Sequence, residues 1–312
     1  MTLATADSPN GECGTRKTDG NGTAHMKKYK YLIVGGGMAA DAAVKGIREI
    51  DDKGDIGVVS EESDPPYERP PLSKGLWVKD TALDDIRLKT EEKGADVRCE
   101  RRITELSCDE HVVADNRGER YAYERLLLAT SGTPNTLPSN HTPVIYYRTC
   151  EDYRKLRSLA DRKYEFVVLG AGFIGSEIAA ALASNGKRVT MVFPEAHIGS
   201  KMFPSELAAA ITAYYQHKNV KVISGCKPSN LEMQGERLAL RLEDGTRLEA
   251  DAVVAGLGVQ PCTGLAGKAG LRVDDGIVVD THCQTTAPDV FAAGDVANFH
   301  NPQLDARLRV EH

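Results

Sequence analysis

Apolar and polar positions near the start of the chain predict the order strand, glycine turn, helix and strand. Residues 31–34 form an unbroken apolar run, Gly35-Gly36-Gly37 follow it, and residues 38–50 have a helical pattern. Residues 56–60 predict the next strand. A short apolar run that leads through a glycine turn into a helix is typical of a buried parallel strand in a βαβ unit.

The same order returns in the second half of the chain. Residues 166–169 are apolar, Gly170-Ala171-Gly172 form a turn, residues 173–185 predict an Ala-rich helix, and residues 189–193 predict a strand. The chain therefore contains two βαβ units, and the alternation of strands and helices predicts an α/β fold with parallel sheets.

The other predicted elements are shorter. They are helices near 86–93, 150–160 and 204–217, strands near 96–99, 103–107, 111–114, 120–123, 126–129, 251–255, 277–279 and 290–293, and a final turn at Gly294-Asp295. Residues 1–26 are polar and lack periodicity, so we expect a disordered extension there.

Composition and charge exclude several classes of function. The chain has 39 Lys and Arg against 45 Asp and Glu, a net charge of −6, and no dense basic run, which argues against a nucleic-acid partner. No apolar run is long enough to span a bilayer. The seven cysteines are scattered and contain no Cys-x-x-Cys pair. This spacing disfavours a disulfide framework, a metal site and a dithiol redox centre, and predicts a reducing, cytoplasmic location.

The first glycine turn has the spacing of a dinucleotide-binding motif. In Gly35-x-Gly37-x-x-Ala40 the first glycine allows the tight turn, and the second lets the backbone approach a pyrophosphate. Ala40 allows close packing of helix on strand, and the helix N-terminus faces the phosphates. Glu61 follows the next strand, 26 residues after Gly35, where a carboxylate accepts both hydroxyls of an adenosine ribose.

The second glycine turn repeats this pattern as Gly170-x-Gly172-x-x-Gly175, and Glu195 comes 25 residues later. A carboxylate at that position favours a free ribose 2′-hydroxyl, hence NADH over NADPH. Two dinucleotide sites in one chain predict hydride transfer between two dinucleotides, most simply a nicotinamide and a flavin.

Several segments resemble the two-dinucleotide flavoprotein reductases. Within them the chain is similar to the ferredoxin reductases and the apoptosis-inducing-factor-like NADH oxidoreductases, over residues 30–312. The most specific segments are PYERPPLSK at 66–74, GFIGSE at 172–177, Phe193-Pro194-Glu195, Gly294-Asp295 and the ending Arg309-Val310-Glu311-His312. The resemblance implies two Rossmann-like domains, with an NADH domain inserted into an FAD domain.

The resemblance also implies roles for single residues. Lys74 would lie by flavin N5, where a cation stabilises charge on the reduced ring. Glu177 would orient Lys74, and Phe173 would stack near the nicotinamide. His312 would lie near the flavin as a fourth catalytic residue. The other implied FAD contacts are Arg69, Ile103, Arg148 and Asp295, and the other implied NADH contacts are Ile174, Lys201, Gly258 and Glu311.

Three departures from the family pattern matter. There is no cysteine between positions 14 and 98, so a disulfide reductase, a peroxidase and a cysteine-dependent oxidase are disfavoured. Ser131 stands where the family has a glycine. The family continues beyond the position of His312 with a helix that completes the FAD domain and with a third, interface domain. We therefore expect the C-terminal interface domain to be absent and FAD to be held weakly by a chain that ends there.

These observations predict a flavoprotein enzyme. The predicted divisions are a disordered extension at 1–26, the FAD domain at 27–147 and 268–312, and the NADH domain at 148–267. The expected function is hydride transfer from NADH to FAD, with electrons passed on to a ferredoxin-like or quinone-like acceptor, and a homodimer is an option for the full-length protein. The alternatives are an NADH-responsive sensor or scaffold that forms a long-lived reduced-flavin complex, and a monooxygenase, which Glu195 and the PPLSK loop disfavour.

Overall fold

The computed structural model describes residues 26–78, 81–138 and 142–310. The strands among these residues, in chain order, are β1 Lys27–Val34, β2 Ile56–Val59, β3 Ala95–Arg98, β4 Ile103–Ser107, β5 Val112–Asp115, β6 Arg120–Leu128, β7 Gly132–Pro134, β8 Val144–Tyr146, β9 Glu165–Leu169, β10 Arg188–Phe193, β11 Lys221–Ser224, β12 Pro228–Gln234, β13 Arg237–Leu242, β14 Arg247–Ala250, β15 Ala252–Ala255, β16 Val259–Pro261, β17 Val273–Asp274, β18 Gly276–Val278, β19 Val290–Ala292, β20 Ala297–Asn301 and β21 Ala306–Leu308. The α-helices in this part are α1 Met38–Ile50, α2 Gly75–Val78, α3 Cys150–Arg162, α4 Phe173–Ser184, α5 Ser205–His217 and α6 Gly264–Lys268. Short 3-10 helices cover Pro70–Ser73, Leu83–Ile86, Thr90–Lys93 and Gly294–Val296. None of the helices in these ranges is long and apolar enough to cross a membrane.

The first sheet carries the first glycine turn at the end of a central strand. Its order is β3-β2-β1-β6-β5-β4, and β19 also pairs with β6. Strands β1, β2 and β3 are parallel to one another, and β1 is parallel to β6. Ile33 and Val58 pack with α1 on one face, whereas Leu32 and Val34 pack with residues of β19 and β20 on the other. Burial of both faces explains the unbroken apolar run of β1.

The second sheet carries the second glycine turn in the same way. Its order is β11-β10-β9-β15-β8, with all neighbours parallel. Residues of α3 and α4 pack on one face, and the antiparallel sheet β12-β13-β14 packs on the other. The predicted α/β fold with two Rossmann-like units is confirmed.

The segment from Pro70 to Val78 is held against the second sheet although it follows strands of the first. Leu72 and Trp77 are buried in the same core as Phe166 and Ile178. The indole Nε1 of Trp77 donates to the Leu72 carbonyl at 2.8 Å, and the Tyr147 hydroxyl donates to the same oxygen. The backbone on either side of Lys74 is therefore fixed by residues of both units.

Two predictions of secondary structure are wrong. The predicted helix near 86–93 is a pair of 3-10 helices, because Lys89 lies between them in a left-handed conformation with φ of 52°, which interrupts an α-helix. The predicted strands at 120–123 and 126–129 are one strand, β6, whose first half pairs with β5 and whose last three residues pair with β19. The turn at Gly294-Asp295 leads into β20 and β21, which the sequence pattern did not predict.

Asp41 anchors α1 through a buried carboxylate. Its side chain is 2% exposed, accepts hydrogen bonds from Thr90 Oγ1 and Lys93 Nζ, both at 2.7 Å, and pairs with Lys45 Nζ at 2.8 Å. Burial alone would raise the pKa of Asp41, but the bonds from Lys45, Lys93 and Thr90 lower it below its ordinary value. Because this pKa is lower in the folded state, the stabilisation is present at neutral pH and is lost as the pH falls below about 4.

We expect Asp41→Ala to lower the free energy of unfolding by about 3 kcal/mol at pH 7, since it leaves Thr90 and Lys93 without their buried acceptor. Chemical denaturation at pH 7 and at about pH 2.5 measures this loss, which should shrink at the lower pH because the folded-state pKa of Asp41 lies below its ordinary value. Lys45→Ala is the control, because Lys45 is 53% exposed and its removal should cost less than about 1 kcal/mol. Equal losses in the two variants would contradict the anchoring role of Asp41.

Candidate functional site

The first glycine turn opens into a cleft. Gly35 has a φ of +121°, and a Cβ there would lie 2.1 Å from the carbonyl oxygen of Ala129. Gly37 is the N-cap of α1, and a Cβ there would meet only Nη2 of Arg69, at 3.9 Å. Ala40 is fully buried under the helix. The turn is thus tight at its first glycine and leaves a space above its second, which fits the approach of a pyrophosphate.

This cleft has a volume of about 700 Å³, within the range of ligand sites. The residues predicted to contact FAD that line it are Gly35, Gly37, Glu61, Arg69, Ile103 and Arg148. Asp295 lies next to the cleft, with its carboxylate 2.9 Å from Nη2 of Arg148. Lys74 lies outside the lining. The cleft therefore brings together most of the residues that the sequence assigned to FAD.

Arg69 is an enclosed cation of the cleft, with a side chain that is 18% exposed. Its guanidinium donates to Glu62 Oε1 at 2.7 Å, to the hydroxyl of Tyr67 at 3.2 Å and to the carbonyl of Arg148 at 3.0 Å. Burial alone would lower the pKa of Arg69, but Tyr67 and Glu62 raise it above its ordinary value. The side chain therefore stays charged beside Gly37, where the phosphates of a dinucleotide would lie.

Glu61 lies at another part of the cleft wall, and its side chain is 65% exposed. Its nearest charged neighbour is Arg102, with Nε 3.6 Å from Oε2. An exposed pair of this length is weak and leaves the carboxylate able to accept ribose hydroxyls. This geometry permits the predicted role of Glu61 as the acceptor of the adenosine ribose hydroxyls, and that role stays a prediction.

Lys74 and Glu177 meet across the two units of the fold. Lys74 Nζ lies 3.1 Å from Glu177 Oε1, and the Ser73 hydroxyl donates to Glu177 Oε2 at 2.6 Å. Lys74 is 57% exposed and Glu177 is 22% exposed. Glu177 lies on α4, directly after the second glycine turn, so the ion pair joins the PPLSK loop to the predicted NADH site.

The second glycine turn has the same geometry as the first. Gly170 has a φ of +101°, and a Cβ there would lie 2.2 Å from the carbonyl oxygen of Gly256. A Cβ on Gly175 would lie 2.3 Å from the carbonyl oxygen of Gly170, so only glycine allows this packing of α4 on the strand end. A Cβ on Gly172 would meet nothing within 4 Å. The space over Gly172 is therefore open to a second dinucleotide.

Other predicted NADH residues surround this turn. Phe173 and Ile174 begin α4 and are 63% and 37% exposed, an unusual exposure for two apolar side chains in sequence. Glu195 follows β10 and pairs with Lys201 Nζ at 2.7 Å. Burial alone would raise the pKa of Glu195, but the hydrogen bond from Lys201 lowers it below its ordinary value. Gly258 has a φ of +84° beside Asn135.

Glu311 and His312, the two predicted residues at the end of the sequence, lie outside the described residues. The cleft also contains residues to which the sequence assigned no site role, notably Glu62, which pairs with Arg69, and Ser131, whose hydroxyl accepts a hydrogen bond from Arg148. Glu62 could have been found from the sequence, because it is an acidic residue directly after Glu61. Ser131 was visible in the sequence as a departure from the family's glycine, but its hydrogen bond with Arg148 appears only in the folded chain.

The residues present fit the two dinucleotides. Each turn has a glycine, Gly37 or Gly172, at which a side chain would occupy the open space, and each has an acidic residue after the following strand. Arg69 and Arg148 provide fixed positive charge in the cleft. The fold and these sites define a protein of the two-dinucleotide flavoprotein class.

Comparison with known proteins agrees with this class. A family model described as pyridine nucleotide-disulphide oxidoreductase matches residues 29–309. The chain is 34% identical to monodehydroascorbate reductase 3 of Arabidopsis thaliana, over 93% of this chain and 71% of that protein. It is 33% identical to the mitochondrial apoptosis-inducing factor 1 of Dictyostelium discoideum, over 92% of this chain and 60% of that protein. The solved covalent complex of putidaredoxin reductase with putidaredoxin contains a similar chain, with a TM-score of 0.85 and 30% identity, over 91% of this chain and 71% of that one.

The chain therefore belongs to the pyridine nucleotide-disulphide oxidoreductase family. The match confirms the resemblance to the ferredoxin reductases and apoptosis-inducing-factor-like proteins, the class of NADH-dependent flavoprotein reductase, and FAD and NADH as the cofactors. The contacts of single residues with those cofactors stay predictions.

Proposed function

We propose that the chain transfers hydride from NADH to FAD and passes the electrons to a one-electron, ferredoxin-like acceptor. The observation that carries this proposal is the Lys74–Glu177 ion pair, which links the first glycine-turn unit to the second. The proposed FAD domain comprises residues 27–147 and 268–312, and the NADH domain comprises residues 148–267. Strand β8, which pairs with β15 in the second sheet, favours a start for the NADH domain near Val144.

The residues of the cleft would hold FAD in one orientation. The turn at Gly37 and the N-terminus of α1 receive the pyrophosphate, and Arg69 adds a charge whose direction is fixed by Glu62. Glu61 accepts the adenosine ribose hydroxyls. FAD, when bound, accepts two electrons together from NADH and releases them singly. Lys74 stabilises negative charge that develops on the ring, and Glu177 fixes the position of Lys74.

The acceptor is proposed from similarity. The solved putidaredoxin reductase forms a complex with putidaredoxin, and its chain superposes on this one over 91% of the sequence. The other proposed acceptor is a quinone-like small molecule, which would receive the electrons in place of a ferredoxin-like protein. A homodimer and a cytoplasmic location remain proposals from the sequence.

A second candidate function rests on the similarity to apoptosis-inducing factor. In that case the chain would respond to NADH as a sensor or scaffold and would turn over slowly. Steady-state NADH oxidation with ferredoxin, a quinone and ferricyanide, each compared with oxygen alone, separates the two. Rapid turnover with ferredoxin supports the reductase. NADH-dependent bleaching of the flavin spectrum followed by slow recovery with every acceptor supports the sensor, and absence of bleaching would contradict both.

Glu195 is expected to set the choice of nicotinamide. We expect kcat/KM for NADH to exceed that for NADPH by at least about tenfold, or about 1.4 kcal/mol, since the Glu195 carboxylate binds a ribose diol and repels a 2′-phosphate. Glu195→Ala should remove most of this preference, because Lys201 is then released to pair with the phosphate. Glu232→Ala, an exposed carboxylate on β12, is the control. Equal use of both nucleotides by the unmodified chain would contradict this role.

A further inference from the structure

Ser131 has a backbone conformation that serine rarely adopts. Its φ is 57°, in the left-handed region, which is unfavourable for a residue with a Cβ and carries no such cost for glycine. The carbonyl oxygen of Ser131 accepts a hydrogen bond from the amide of Cys262 at 3.0 Å. This bond ties the turn at Ser131 to another segment of the cleft wall. A glycine would adopt this conformation without cost, so the side chain is expected to contribute an interaction that offsets the strain.

The hydroxyl of Ser131 completes a ring of three hydrogen bonds. Nη2 of Arg148 donates to Ser131 Oγ at 2.6 Å and to Asp295 Oδ2 at 2.9 Å, and Ser131 Oγ donates to the same Asp295 oxygen at 3.3 Å. Arg148 and Asp295 are 16% and 14% exposed, so solvent screens this contact little. The three residues come from the turn between β6 and β7, the loop before α3 and the 3-10 helix after β19.

The ring fixes the direction of the Arg148 guanidinium. Both of its hydrogen bonds use Nη2, and no described residue hydrogen-bonds Nε or Nη1. Because Arg148 and Ser131 line the cleft, those two nitrogens are donors for a ligand there. Without the Ser131 hydroxyl, Nη2 keeps a single partner and the long side chain regains rotamer freedom, which a ligand would have to restrict again on binding.

We propose that Ser131 is a positioning residue for FAD, whose hydroxyl holds Arg148 and Asp295 in the arrangement that binds the cofactor. This inference rests on the proposed function, which assigns the cleft to FAD. The strained backbone of Ser131 is the cost of placing the hydroxyl between the guanidinium and the carboxylate. Exchange of Ser131 for glycine would remove the strain and the positioning together.

Matched variants separate these two effects. Ser131→Ala removes the hydroxyl and keeps the strain, whereas Ser131→Gly removes both. The dissociation constant of FAD is measured on the apoprotein by quenching of flavin fluorescence, and the melting temperature of the apoprotein is measured in parallel. We expect both variants to bind FAD about tenfold more weakly, a loss of about 1.4 kcal/mol, and the Gly variant to melt at a higher temperature than the Ala variant.

Three further measurements test positioning against a merely structural role. Ser131→Asn restores an oxygen acceptor in a residue that tolerates left-handed backbone, and it should recover most of the affinity. Ser131→Ala combined with Arg148→Ala should weaken FAD binding by less than the product of the single effects. The visible spectrum of bound flavin should shift in Ser131→Gly and not in the control Ser229→Ala, whose hydroxyl bonds the Arg241 carbonyl on an exposed strand.

The outcomes that overturn the inference are distinct from those that overturn the proposed function. Affinity for FAD equal to that of the unmodified chain in both Ser131→Ala and Ser131→Gly would refute positioning and leave the proposed function intact. Affinity lost in Ser131→Ala and retained in Ser131→Gly would show that the hydroxyl only offsets the backbone strain and is not needed to position Arg148, which also refutes it. An unmodified apoprotein that binds no FAD would refute the proposed function and this inference with it.

Discussion

Gly37→Val is expected to leave the chain folded and to raise the dissociation constant of FAD at least about 100-fold. The backbone at Gly37, with φ of −95° and ψ of −170°, is one that any residue adopts. A Cβ there would meet only Arg69 Nη2, at 3.9 Å, so the protein itself has room for the side chain. The valine would instead fill the space over the turn, where the pyrophosphate must approach the amides of α1. FAD titration of the apoprotein and its circular dichroism spectrum measure the two expectations.

Gly172→Val is the counterpart in the second turn. Its backbone is also extended, with φ of −78° and ψ of −169°, and a Cβ would meet nothing within 4 Å. This variant should keep FAD and lose NADH, with a KM for NADH raised at least about 100-fold. Opposite losses in the two variants would therefore assign one dinucleotide to each turn.

Gly46→Ala is the matched control for both variants. A Cβ on Gly46 would meet nothing within 4 Å, and Gly46 lies within α1, away from the cleft lining. The alanine should stabilise the helix by about 1 kcal/mol and leave both affinities unchanged. Unaltered FAD binding by Gly37→Val would contradict the placement of the pyrophosphate at this turn.

The two glycine turns show why much of the fold could be predicted from sequence. Gly35 and Gly170 have positive φ, and a Cβ on either residue would lie no more than 2.2 Å from a backbone carbonyl oxygen. The local backbone therefore requires glycine at both positions. The last residues of the strand before each turn, 32–34 and 166–169, are apolar because both faces of the strand are buried there. These constraints act over a few residues, and a sequence pattern therefore records them directly.

Contacts between distant residues could not be predicted from pattern alone. The Ser73 hydroxyl bonds Glu177, which is 104 residues away, and the Ser131 hydroxyl bonds Asp295, which is 164 residues away. Lys74 and Glu177 were paired by resemblance, and the added bond from Ser73 was not expected. The replacement of glycine by Ser131 was visible as a departure, but only the folded chain brings its hydroxyl to Arg148.

The helix predicted near 86–93 shows a local pattern overridden by tertiary contacts. Thr90 is fully buried and donates to Asp41 at 2.7 Å, and Lys93 reaches the same carboxylate. Lys89 adopts a φ of 52°, which turns the chain between two short 3-10 helices. The bonds to Asp41 require this turn, and the sequence of the segment alone favours a continuous helix.

Lys74→Ala is expected to slow the reduction of FAD by NADH about 100-fold and to lower the midpoint potential of the flavin. The Lys74 ammonium is the cation that the PPLSK loop presents next to Glu177, and its loss removes stabilisation of negative charge on the ring. Glu177→Ala should slow the same step about tenfold, because Lys74 keeps its charge but loses its fixed direction. Stopped-flow absorbance at the flavin band measures both rates, on FAD-saturated protein.

The double variant distinguishes a coupled pair from two independent residues. If Glu177 acts by orienting Lys74, then Lys74→Ala with Glu177→Ala should be about as slow as Lys74→Ala alone, rather than slower by the product of the two effects. Glu177→Gln retains an acceptor for the Ser73 hydroxyl and removes the charge, so it separates the ion pair from the hydrogen bond. Lys89→Ala, which breaks an exposed ion pair with Glu92, is the control and should reduce FAD at the unmodified rate. Unchanged rates in both single variants would remove the Lys74–Glu177 pair from the mechanism. Fully multiplicative effects would show that Glu177 acts independently of Lys74 and does not position it.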